Sequence, residues 1–133
     1  MHFRQNPSDE EILRFVERWI DDLAKDDYHA AYARTEHDPY FAWTPDLIRT
    51  VIQCYGSLEP RRDGGVFTVT ARESALGGPP QRIVDRECVC PPAFAEVWYD
   101  LPLNGEWSDL TATFRVEPGD GGSTVVLQEI HVF

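Results

Sequence analysis

Apolar residues recur at helical spacing near the start of the chain and at alternate positions near its end. Ile12, Phe15, Val16, Trp19, Ile20 and Leu23 fall on one side of a 3.6-residue period. Ser8 and Glu11 stand before them at the spacing of a capping box, and Asp9, Glu10 and Glu11 put negative charge where the helix dipole favours it. This predicts a helix from Asp9 to about Lys25. Ala30, Ala31 and Ala33 favour a short second helix over Tyr28 to Arg34. Thr35 to Trp43 reads as a loop. Thr44 then offers an N-cap and Pro45 the first helical position of a third helix. Leu47, Ile48, Val51, Ile52 and Tyr55 make its stripe, and Gly56 fits the left-handed C′ position after it.

The period then changes to two. Val66 to Arg72 reads as a strand with Phe67, Val69 and Ala71 on one face, and Arg82 to Cys90 as another, stopped by Pro91-Pro92. Ala93 to Leu101, Glu106 to Val116 and Thr124 to Phe133 form an antiparallel meander. Its first turn is Leu103-Asn104-Gly105-Glu106, where Asn-Gly suits the two positive φ angles of a type I′ hairpin. Ala95, Val97, Tyr99 and Leu101 face inward with Leu110, Ala112, Phe114 and Val116, and Val126, Ile130 and Val132 continue that face. The fold class is α+β: N-terminal helices packed on a curved, mostly antiparallel sheet, cone-like, with one pocket. Residues 1–133 read as a single domain.

Charge narrows the partners. A net charge of −11 excludes the basic footprint that nucleic acid and anionic membranes require, and leaves room for a basic protein partner. Met1 to Glu11 lacks the basic start and apolar stretch of a signal peptide, and no apolar run reaches bilayer length. A cytoplasmic protein is expected. Eleven of the twelve basic residues are Arg, a bias that points to a GC-rich bacterial genome. Three cysteines without a secretory signal argue against a disulfide framework, and Cys88 and Cys90, two apart in a strand, are expected to be small buried residues. No cofactor is called for. The glycine-rich segments lack the lysine and strand-to-helix context of a phosphate loop.

The stretch from Phe15 to Tyr32, a long helix and then the tract LAKDDYHAAY, together with the meander from Ala93 to Phe133, resembles the nuclear-transport-factor-two-like fold, the cystatin-like cone also used by ketosteroid isomerase. The tract LPLNGEWSDLTATF with its ending LQEIHVF is similar to a group of small uncharacterised bacterial proteins. The resemblance implies a pocket enclosed by sheet and helices, with dimer contacts on the outer sheet face. Proteins of this fold include isomerases, dehydratases, secretion-associated domains and toxin-immunity proteins, so fold alone does not choose an activity. No catalytic motif of ketosteroid isomerase carries over to this chain.

Three constellations could carry chemistry. A two-residue hairpin loop would set Asp100 opposite Asp109, and one register of the next hairpin would add His131, with Glu129 nearby. Such a row could hold a metal. It is read first as a solvated outer face neutralised by His131 and Arg115, and no metal is assigned. The same face carries Trp98, Trp107, Leu127 and Phe133, an aromatic surface for a homodimer. The third lies around His37 and Asp38. Tyr28, Tyr32, Tyr40, Trp43 and Tyr55 there could line a pocket for a small apolar ligand or plug a helix corner. His37 or Asp38 as base, with Tyr55 or Tyr99 polarising a carbonyl, would give a cofactor-independent isomerase or lyase. The leading expectation is a non-catalytic domain that binds a protein partner or a small apolar ligand, with an immunity role against a basic toxin as one subtype.

Overall fold

The computed structural model describes residues Pro7 to Phe133. Helices α1 (Asp9–Ala24), α2 (Tyr28–Arg34) and α3 (Pro45–Gln53) precede most of the sheet, and a two-residue strand β1 (Glu36–His37) lies between α2 and α3. A 3₁₀ turn (Arg72–Ser74) leads to β2 (Arg82–Asp85), β3 (Ala95–Leu103), β4 (Glu106–Gly119) and β5 (Gly122–Val132). The sheet runs β1-β5-β4-β3-β2 and is antiparallel except where β1 joins β5 in parallel. It is curved and does not close into a barrel. The architecture is therefore α+β, with helices on one face of an open mixed sheet.

Local chemistry accounts for the helix limits. Ser8 Oγ accepts the Glu11 N–H, and the Glu11 carboxylate accepts the Ser8 N–H, closing the capping box. Thr44 Oγ1 accepts the Leu47 N–H at the start of α3. The end of α3 differs from expectation by one residue. Tyr55, not Gly56, holds the left-handed C′ position (φ 55°), and Gly56 follows at φ 90°. The Tyr55 N–H bonds Ile52 O and the Gly56 N–H bonds Val51 O at 2.7 Å, the paired bonds of a Schellman motif. A Cβ at Gly56 would also crowd Leu110 Cδ1, at 3.1 Å, and that side chain would have to give way.

The core lies between α1, α3 and the inner sheet face. Ile12, Val16, Trp19, Ile20 and Ile52 are fully buried against Ala95, Val97, Leu110, Ala112 and Phe114. Trp19 meets Phe114 edge-to-face at 5.0 Å.

Two β-bulges correct the expected register. Asn104 and Gly105 form the hairpin turn at φ 51° and 86°, and Leu103 pairs with Glu106. Beyond Pro102↔Trp107 the next pair is Asp100↔Thr111, so Ser108, Asp109 and Leu110 oppose Leu101 alone. Pro102 has no N–H for the ladder, and Ser108 Oγ donates to Leu101 O at 2.7 Å instead. Asp109 is thereby displaced from Asp100. In β5 the pairs Thr113↔Glu129 and Phe114↔Leu127 leave Gln128 as one extra residue. A one-residue slip exchanges the faces. Val125 and Leu127 therefore point into the core, in place of the Val126 expected there, while Ile130 faces inward as expected.

The segment Val66 to Arg72 is not a strand. It crosses the hairpin tip, touching it through one bridge, Val69↔Leu103, and through Asn104, whose Oδ1 accepts the Thr68 N–H at 3.0 Å. Val69 is buried, Phe67 half-buried and Ala71 exposed. β2 stops at Asp85, because Asp85 Oδ1 turns back to accept the Glu87 N–H at 2.9 Å. Cys88 and Cys90 therefore lie in an exposed loop and are not buried. No helix among the described residues is long and apolar enough to cross a membrane.

Candidate functional site

The loop ahead of α3, α3 itself and the turn after it close over the part of β5 that β1 does not reach. Trp43 fixes this arrangement. Its ring is buried, and its indole N–H donates to Gln128 O at 3.0 Å, on the carbonyl of the β5 bulge. Phe41 stacks on Trp43 with centroids 5.8 Å apart. Between these rings, the α3 side chains Leu47 and Val51, Leu58 after the Schellman turn, and Ile130 of β5 lies a cavity of about 220 Å³. Gly56, Glu129 and His131 complete its wall. The lining is mostly aliphatic and aromatic with few polar groups, the make-up of a site for an apolar group. Leu47 and Val51 are four apart on α3, but that spacing reads equally as core, so the sequence alone does not reveal the cavity.

Of the five expected pocket aromatics, Trp43 alone lines this cavity. Tyr28 is buried under the Arg49 guanidinium, 4.5 Å from its ring centre, and burial raises its pKa. Tyr32 stacks on His37 at 3.9 Å. Tyr40 is 86% exposed. Tyr55 packs on Phe67 and donates its hydroxyl to Asp109. Burial first, then the Asp109 carboxylate, raises the Tyr55 pKa.

The four acid–base candidates are tied into separate contacts. His37 Nε2 meets Thr35 Oγ1 at 3.2 Å, and burial lowers its pKa despite the Glu36 charge. Burial acts to raise Asp38, but the Tyr40 N–H at 2.9 Å and Arg115 at 2.6 Å outweigh it and hold the carboxyl below its usual range. Tyr99 lies beneath α1, donating its hydroxyl to Glu17 Oε2 at 2.6 Å. None of His37, Asp38, Tyr55 and Tyr99 lines the cavity.

The metal row is not assembled. Asp100 is held by the Thr111 hydroxyl at 2.8 Å and the Gln81 N–H at 2.8 Å, while Asp109 binds Tyr55. His131 pairs with Thr111 and sits edge-on to Phe133. Among the described residues no group of three His, Cys, Asp or Glu side chains is placed to hold a metal ion. The four residues expected on a dimer face do not share one exposed surface. Leu127 is in the core and half-buried Trp107 packs against it, leaving Trp98 in contact with Phe133 at 4.6 Å, the latter 60% exposed.

A polar cluster beneath α1 escaped the sequence reading. Glu17 accepts Tyr99 Oη and Arg82 Nε (3.0 Å), and Arg72 donates two bonds to Asp21 at 2.9 and 3.0 Å. The i, i+4 spacing of Glu17 and Asp21 beside the apolar stripe was its one visible trace. The cluster ties α1 to β2, β3 and the 3₁₀ turn. Burial, then the bond to Glu17, pushes the Tyr99 hydroxyl up to about 12 from 10.0. The raised folded value favours the protonated form, so its stabilisation is full below pH 10 and is lost as pH rises through about 12. Denaturant titrations across that window should show a loss of about 2 kcal/mol. Tyr99→Phe should flatten it, and an unchanged profile in that variant would refute the assignment.

Comparison with protein-family models, with curated proteins and with solved structures found no match.

Proposed function

We propose that this chain is a non-catalytic binding domain of the cone-like, nuclear-transport-factor-two-like kind, and that it holds an apolar group of its ligand between α3 and β5. The observation that carries this reading is the cavity of about 220 Å³ walled by Phe41, Trp43, Leu47, Val51, Leu58 and Ile130. An apolar cavity of roughly 150 Å³ is enough to admit benzene. The larger volume here suits an aromatic ring or a branched aliphatic group. The separate engagement of His37, Asp38, Tyr55 and Tyr99 counts against the cofactor-independent isomerase or lyase. The net charge of −11 favours a ligand or partner that is neutral or basic.

Thermal unfolding in the presence of small apolar probes tests the proposal. Indole at millimolar concentration should raise the midpoint, since a ligand that binds only the folded state stabilises it. Leu47→Trp, which fills the cavity from its rim, should abolish that rise while the variant remains folded. No rise with indole or comparable apolar probes, or an undiminished rise in Leu47→Trp, would overturn the proposal.

A further inference from the structure

The apolar wall of the cavity ends in a polar rim. Ile130 turns its side chain toward the helices, and its neighbours Glu129 and His131 turn theirs to the other sheet face. All three line the cavity, which therefore reaches around β5 from its apolar side to these two polar residues. The rim meets solvent: His131 is exposed, and Leu58 in the same wall is 69% exposed. The backbone here is held, since the Glu129 N–H donates to Thr113 Oγ1 at 3.2 Å and the Trp43 indole takes Gln128 O. What remains available is the Glu129 side chain.

Glu129 is half-buried, and its carboxylate is the one half-buried acid among the described residues without a hydrogen bond or ion pair. The others are all engaged. Glu17, Asp21, Asp22, Asp38 and Glu117 bond arginines, and the rest accept from hydroxyl or N–H groups. A carboxylate that has lost part of its water beside an apolar wall gains most from a cationic partner. The faces of Phe41 and Trp43, stacked at the same cavity, also attract cations. The −11 charge of the chain raises the local concentration of cations without choosing among them. Resting on the cavity reading above, we propose that the ligand is an organic amine. Its aromatic or branched apolar group fills the cavity, and its ammonium group lies at the rim and pairs with Glu129.

Isothermal titration calorimetry on the full chain tests this with probes that share one ring system: tryptamine, its neutral alcohol analogue tryptophol, indole-3-acetate and indole. Tryptamine should bind about tenfold more tightly than tryptophol, the scale of one charge-assisted hydrogen bond, and indole-3-acetate more weakly than indole. Glu129→Gln should bring tryptamine down to the level of tryptophol and leave indole unchanged, which also shows that the variant is folded. Asp120→Asn removes the same charge from the exposed β4–β5 turn and should leave tryptamine binding as it is. Equal weakening by both substitutions would mean attraction by overall charge and would overturn the pairing. Equal binding of tryptamine and tryptophol would overturn the amine class and leave the cavity reading standing. Failure of every probe to bind would overturn this proposal and the cavity reading together.

Discussion

Trp19→Ala is expected to lower the unfolding free energy by about 3–5 kcal/mol, a large share of the 5–15 kcal/mol typical of a domain. Trp19 is fully buried at the centre of α1's apolar face and meets Phe114 edge-to-face. Truncation removes that contact and opens a cavity between helix and sheet that rigid neighbours on β3 and β4 cannot fill. Trp19→Phe separates volume from polarity. The indole N–H has no hydrogen-bond partner among the described residues, so its loss removes an unmet donor. A cost of about 1 kcal/mol is expected for Trp19→Phe. Urea denaturation followed by circular dichroism reads both. A Trp19→Ala loss below 1 kcal/mol would contradict the packing described.

The second large effect is expected at Glu17. Its carboxylate is mostly buried and receives Tyr99 Oη and Arg82 Nε, with Arg72 at 3.7 Å. Glu17→Ala leaves the Tyr99 hydroxyl without its acceptor and a partly buried guanidinium pair without one of its two acids. A loss of about 2–3 kcal/mol follows from the charged hydrogen bonds removed. Glu17→Gln keeps the acceptor for Tyr99 and should lose less. Because Glu17 and Tyr99 share one bond, Glu17→Ala combined with Tyr99→Phe should cost less than the two single changes added together. Additive losses would mean that the hydroxyl and carboxylate do not act as a pair.

The parts of this fold that were legible in the sequence rest on local chemistry. Ser8 and Glu11 fixed the start of α1, Thr44 and Pro45 the start of α3, and Asn104-Gly105 the β3–β4 turn, because each works through neighbours a few residues away. Alternation likewise placed Ala95 to Leu101 and Leu110 to Val116 inside. What escaped depends on distant partners. The Gln128 bulge, which turns Leu127 toward the helices and leaves Val126 buried on the opposite sheet face, is anchored by Trp43, 85 residues earlier. The Ser108 to Leu110 bulge separates Asp109 from Asp100 and hands it to Tyr55, which only the Schellman turn after α3 brings within reach. The candidate site inherits both effects. Its aromatic Trp43 was named from sequence, but Phe41, Leu47, Val51, Leu58 and Ile130 become a cavity only once α3 settles over the β5 edge.

The most direct test of the central claim is a ¹⁵N-resolved nuclear magnetic resonance titration with indole. If the α3–β5 cavity is the binding site, the Trp43 indole N–H and the backbone amides of Gly56 and Ile130 should shift together and saturate with one affinity, while amides around Glu17 and Tyr99 stay in place. Shifts centred elsewhere, or none at saturating indole, would contradict it.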